Sequence, residues 1–351
     1  MAFWGCTTAD WDSPLSDVLP IRDWGISGSL RELRVQWHIP TDEEKAFAKQ
    51  ILTEFLLPEF ERIKQHIEGT MLLTRDELLQ CLNIVYHCVI GAGAVLPAWS
   101  ADVVNLAESS VELKRYSHIA STDEQGISID GQNVRLLVIE SIRPLLDHML
   151  AASEDDTKSL VAIVRVINSV MYFYGTIKEE FDSRWKSRHI VKQFMEHKLL
   201  GKKQHIRALL IDRTQLQHEL RSINRAAKYF TTVHQQLFGD LLRLSISRFM
   251  EVRKSAQASL AHGFHVFAYS YRCVLDDVIS ILQRHNDTDA IHQFKGALYV
   301  VLGESKRSLV TKRNWDVVTR LWPALVQAQL NCEKPSVLRL FDDVINKLHS
   351  D

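Results

Sequence analysis

Cys81, His87 and Cys88 fall within one predicted helix, and positions 81 and 88 share a face. Thiolate and imidazole are zinc ligands, but a closed site needs a second pair at ligand spacing, and none stands nearby in the sequence. The better reading is small buried thiols. His262 and His265, three apart, could touch one ligand, but read more simply as partly buried or cap-region histidines. Asp276-Asp277 and Asp342-Asp343 are paired carboxylates only on paper. Neighbours on a helix point about 100° apart, so neither pair can share a proton. Gly25-Ile26-Ser27-Gly28-Ser29 does not have the spacing of a nucleophile elbow. Gly91-Ala92-Gly93-Ala94 lacks both the third glycine and the preceding strand of a dinucleotide loop, and reads as a place of close helix packing. There is no Walker loop and no H-E-x-x-H. No catalytic residue, metal site or required cofactor is therefore predicted.

One polar stretch stands out. Residues 184–213 carry nine cations, among them Arg184, Lys186, Arg188, Lys192, Lys202, Lys203 and Arg207, against only Glu196 and Asp212. Two readings stay open. One is a solvated helix face. The other is an electropositive lining for phosphate-rich ligands or acidic polypeptide. Gly201-Lys202-Lys203 falls at a helix junction, where free backbone amides would favour an anion. Trp185 could stack, but there is too little aromatic interleaving for single-stranded nucleic acid.

The elements that must position these residues are helices. Hydrophobic residues make up 46% of the chain, enough for a core, while 14 glycines and 8 prolines in 351 residues are too few for a turn-rich β fold. A formal net charge of −1 gives no global pull toward nucleic acid or membrane. The five scattered cysteines read as reduced thiols of a cytosolic or nuclear protein. The N terminus lacks the basic and apolar regions of a signal peptide. The most apolar run, Leu160 to Tyr174, is interrupted by Arg165 and Asn168 and falls short of the roughly 20 residues a membrane span needs. It predicts a helix buried on all sides.

Residues 1–40 hold Trp4, Trp11, Trp24 and Trp37 among prolines and glycines, and read as an irregular segment. From Thr41 on, helical period dominates, and 41–351 reads as one helical-repeat solenoid with a mobile loop near 115–132. Thr41 with Glu44 and Thr74 with Glu77 open helices as caps. Two features turn many helices into a repeat. Glu251-Val252-Arg253 followed by Ala256 and Leu260 has the form of the second helix of a HEAT repeat, with Val252 and Leu260 toward the stack and a small residue at the close approach. Prolines inside apolar helical runs recur at Pro58, Pro144 and Pro323. Their spacings of 86 and 179 residues are near two and four HEAT periods. The fold class is all-α, a HEAT/armadillo-like superhelix whose helix pairs cover each other's apolar faces.

Longer strings carry a resemblance. Ser153-Glu154-Asp155-Asp156-Thr157-Lys158-Ser159-Leu160, Glu180-Phe181-Asp182-Ser183-Arg184-Trp185-Lys186-Ser187 and the run from Gly201 to Arg213 resemble the large Blm-type proteasome activators. So do Gln293-Phe294-Lys295-Gly296-Ala297-Leu298-Tyr299 and the run from Glu333 to Asp343. The resemblance implies a dome of HEAT-like repeats on the 20S core proteasome. It implies a non-catalytic activator of ATP- and ubiquitin-independent degradation, linked to acetylated histones and DNA repair, in nucleus and cytoplasm. It also implies inositol phosphates at basic openings, for which 184–213 is the candidate here. No membrane or direct nucleic-acid contact is expected. The family chain is several times longer and ends in a hydrophobic-Tyr-x tail, whereas this sequence ends Lys347-Leu348-His349-Ser350-Asp351. The bromodomain-like segment is also not found here. This stretch is therefore expected to be dome wall. The competing reading is a HEAT-type adaptor or transport scaffold.

Overall fold

The structure is a computed structural model that describes residues 41–93, 95–106, 126–172, 230–267, 269–284, 291–303, 309, 315–330 and 334–350. The Trp-rich segment 1–40, residues 115–125 of the expected loop, and the whole basic stretch 184–213 lie outside the described residues.

The first helix has three parts. Helix α1 (Asp42–Ile51) begins at the predicted cap, with the Thr41 hydroxyl accepting from the Glu44 amide and the Glu44 carboxylate accepting from the Thr41 amide. It runs through a π-helical segment, Leu52–Leu56, into α2 (Leu57–Ile67). Pro58 explains the π segment. Proline has no N–H to offer the carbonyl one turn back, and its ring crowds that carbonyl. Widening the preceding turn relieves both, and the Leu57 amide donates to Leu52. Proline inside a helical run ordinarily kinks the helix; before Pro58 the chain answers with a π turn. Pro144 and Pro323 lie inside α4 (Val134–Ala152) and α10 (Trp315–Leu330).

The other helices are α3 (Arg75–Gly91), α5 (Thr157–Tyr172), α6 (Thr232–Ser245), α7 (Met250–Val266), α8 (Arg272–Gln283), α9 (Ile291–Leu302) and α11 (Pro335–Ser350). They stack in two layers: α2, α4, α6, α8 and α10 in one, α3, α5, α7, α9 and α11 in the other. Each helix packs on its pair partner and on the next helix of its layer, except between α4 and α6, whose backbones hardly approach. Because α5 packs directly on α7, no described helix stands between them.

Packing follows the apolar periods. On α7, Val252, Ala256 and Leu260 are all buried, as the HEAT-type reading expects. Helix α5 buries Leu160, Ile163, Val164, Val166, Ile167, Val170 and Met171, apolar around most of its girth because neighbours meet it from several sides. No helix among the described residues is long and apolar enough to cross a membrane.

The C-terminal end of the polar stretch 115–132 lies among the described residues. Residues 126–133 form a tight hairpin of β1 (Ser128–Ile129) and β2 (Gln132–Asn133). Asp130 and Gly131 take φ of 51° and 78°, the two positive values a type I′ turn requires, and an Asp-Gly pair supplies them cheaply. Ile127 and Ile129 are buried, and the Ile127 amide donates to Val95.

Candidate functional site

Residues 95–106 form a strap that leaves the end of α3 and crosses the mouth of the α4/α5 pair to reach α6 and α8. Asn133 caps α4 through its side-chain oxygen, and its amide nitrogen donates to Ala98 at 2.7 Å and Ser100 at 3.1 Å. Further along, Val104 donates to Phe230 and Thr232 donates to Asp102, a short antiparallel bridge. Arg272 at the start of α8 donates to the Leu106 carbonyl at 2.8 Å.

Beneath the strap lies an aromatic hub of Trp99, Phe230, His234, Phe238 and Phe267, with Tyr172 at its edge. Arg135 enters it fully buried. Its Nε donates to the Pro97 carbonyl at 2.8 Å, its Nη1 donates to Val170, and the guanidinium lies 5.9 Å from the Trp99 ring centre. One side chain thus ties together the strap, α4 and α5.

His234 is the hub's titratable group. Thr231 caps α6 in a capping box whose third position is this histidine instead of an acid. Its Nδ1 accepts the Thr231 amide at 3.1 Å, so the neutral ring carries its proton on Nε2. The Trp99 and Phe267 rings each stand 4.8 Å from the imidazole, centre to centre. Burial, aided by the charge of Arg135, pushes the imidazole pKa down to about 3. The sign follows. Below the ordinary value near 6.5 the unfolded chain takes up a proton that the folded ring refuses, so stability is full above about pH 6.5 and falls as pH drops toward 3. The slope is about 1.4 kcal/mol per pH unit, or about 2 kcal/mol lost by pH 5. Thermal unfolding from pH 7.5 to 5 should show this loss, and His234→Asn, which keeps an acceptor but cannot titrate, should lose that component. An equal pH response in the variant would place the effect elsewhere.

The sequence candidates separate clearly. Cys81 is buried, and burial together with Glu59 pushes its thiol up to about 12. Cys88 is half-buried and also shifted upward by burial. Both favour the protonated thiol, the opposite of a reactive or ligating thiolate. No three His, Cys, Asp or Glu residues gather as metal ligands among the described residues. His262 packs edge-on against Tyr172 at 4.7 Å. Asp276 turns to Arg320 on α10, joining two neighbouring helices of one layer, and not to its neighbour Asp277. Arg184, Lys186, Arg188, Lys192, Lys202, Lys203 and Arg207 lie outside the described residues. Sequence reasoning missed the hub altogether. The only local signal was Asp130-Gly131 beside Asn133, which marks a turn feeding a capped helix.

Buried aromatic and arginine anchors joined by hydrogen bonds to backbone hold elements in place. The two-layer stack of helix pairs that they serve is that of a HEAT-type repeat protein. Known proteins make the relationship specific. A family model for the proteasome activator complex subunit 4, mid HEAT repeats region, matches residues 7–96, beginning inside the Trp-rich segment. Proteasome activator complex subunit 4 of Bos taurus is 42% identical over 345 residues, covering 97% of this chain and 19% of the relative. The Homo sapiens protein is 41% identical over 345 residues with the same coverage, and subunit 4B of Danio rerio is 43% identical over 342 residues, 96% of this chain and 19% of its own length. The chain is similar along nearly its whole length to a segment of proteasome activator complex subunit 4, and spans about one fifth of the length of those proteins.

Proposed function

We propose that this chain is a wall segment of a dome that caps the 20S core proteasome and promotes degradation of peptides and proteins, acetylated histones included, without ATP or ubiquitin. The observation that carries the reading is identity of 41–43% to proteasome activators along almost all of the chain. The two-layer stack suits a wall, since each pair leaves a face for the next. The segment acts by shape and does not cut peptides; cleavage belongs to the core particle. Its setting is nucleus and cytoplasm, with DNA repair as the process. An unrelated HEAT adaptor would share the fold but leaves that identity unexplained.

The test is to mix the full-length protein containing this segment with latent 20S particles and follow a fluorogenic peptide. Hydrolysis should rise well above that of the core particle alone; no rise sinks the activator reading. In the same preparation, the stretch with Arg184, Lys186, Arg188, Lys192, Lys202, Lys203 and Arg207 is proposed to hold inositol phosphates. Binding of inositol hexakisphosphate should weaken at least tenfold in the Lys202→Glu, Lys203→Glu variant, about 1.4 kcal/mol. Unchanged affinity returns that stretch to a solvated helix face.

A further inference from the structure

We infer that the step from the α4/α5 pair to the α6/α7 pair is a hinge in the solenoid, held shut by a salt-sensitive latch. Two sides of this step are built differently. In one layer α5 and α7 are in close contact. Tyr172 donates to the Ser259 carbonyl at 3.2 Å, and Ser259 donates to Asn168 at 3.3 Å. Gly263 is pressed so close that a Cβ there would stand 2.5 Å from the Tyr172 hydroxyl and 2.4 Å from the Phe238 ring. Such a seam is dry, interlocked and indifferent to salt. The strap and the hub pin the N-terminal ends of α4 and α6 in the same way, through Trp99, Arg135 and His234.

In the other layer the backbones of α4 and α6 hardly approach, and among the described residues a row of polar contacts reaches across the step. Arg143 donates to Asp240 at 2.6 Å and to Gln236 at 2.9 Å. Arg243 reaches back to Asp147 at 2.6 Å and also approaches Asp240 at 3.4 Å. At the loop edge, Glu154 accepts from Ser247 at 3.0 Å and faces Arg248 at 3.4 Å. Positions 143, 147 and 154 thus climb one side of the step in polar rungs. Asp240 and Ser247 are deeply buried, while Arg243 and Asp147 are 47% and 61% exposed. Exposed pairs of this kind are weak and are screened by salt.

A joint with an interlocked seam along one side, a pinned end, and weak ionic rungs along the other side turns about the seam. Opening the rungs swings the C-terminal ends of α4 and α6 apart and changes the curvature of everything beyond α6. A HEAT stack has only nearest-neighbour contacts, so a small rotation at one step carries undiminished to its far end. Among the described residues, α2 with α4, α6 with α8, and α8 with α10 each pack closely, unlike α4 with α6. None of this depends on the proteasome reading.

Spin labels on non-natural residues replacing Ala151 and Met250 span the latch, and labels replacing the exposed Gln132, just before α4, and Gln235 on α6 span the pinned end. Pulsed electron resonance on the whole chain then reports both distances. Between about 0.1 M and about 1 M salt the screening length falls from about 10 Å to about 3 Å. The 151–250 distance should lengthen and broaden over that range, while the 132–235 distance holds. In the Arg243→Gln variant, a surface change that leaves the core alone, the 151–250 distance should already be long at low salt and respond little to more. Identical 151–250 distances across salts and variant would overturn the hinge. So would equal lengthening of both pairs, which would mean the layers part as a whole.

Discussion

Gly296→Val is expected to destabilise the chain by about 3 kcal/mol, as overpacking of a closed interface does. Glycine inside a helix ordinarily invites the opposite, since alanine gains roughly 1 kcal/mol there through backbone entropy. Gly296 in α9 is different because of what it faces. A Cβ would stand 2.7 Å from the Ile246 Cα and 2.7 Å from the Ser245 carbonyl oxygen, both backbone atoms at the end of α6. Neither can rotate away as a side chain would. The same point is tied by Gln257, whose amide donates to Ser245 at 2.9 Å and to Gly296 at 3.3 Å. Gly239 on α6 is the internal control, because nothing lies within 4 Å of its Cβ position. Gly239→Ala should raise the urea midpoint by a few tenths to about 1 kcal/mol of stability. Urea unfolding of the two variants beside the parent decides it; equal effects would show that α9 does not approach α6 this closely.

Arg135→Met is expected to cost a similar amount, about 3 kcal/mol, and to act on a different element. The change removes a buried cation, whose desolvation is a burden on the folded state. Against that, it leaves the Pro97 and Val170 carbonyls buried without their donors, at about 1–3 kcal/mol each. The orphaned acceptors outweigh the relief. Arg135→Lys should rescue only part, because one ammonium cannot reproduce a planar fork that reaches two segments. The specific readout is amide exchange in the strap. Val104 and Thr232 amides, which close the strap onto α6, should exchange far faster in Arg135→Met, while the amides of α9 keep their protection. Uniform acceleration along the chain would reduce Arg135 to an ordinary core residue.

Much of the fold was legible because it is written locally. Thr41 with Glu44 and Thr74 with Glu77 announce their helices within four residues, and both boxes form. The Val252, Ala256, Leu260 spacing specifies a buried stripe on α7, and that stripe is buried. The prolines mark helix interiors, though the π turn before Pro58 was invisible, since its cause lies in how one carbonyl is relieved. Ile127 and Ile129 were hidden by the polar run before them, even though Asp130-Gly131 was there to be read as a turn.

What the sequence determined by itself is the class of element, the repeat, and the kinship, because periodicity and long strings in order survive without coordinates. What only the tertiary structure decided is which polar residues work in pairs. Arg143 meets Asp240 across 97 positions and Arg75 meets Asp155 across 80, and no spacing along the chain encodes either. Arg135, between two valines and leucines, reads as a surface charge on a helix. It is buried because two carbonyls from elsewhere in the chain arrive to take its protons. Helical periods depend on neighbours three and four residues away. A charge's partner depends on which layers stack, and that is settled only when the helices pack.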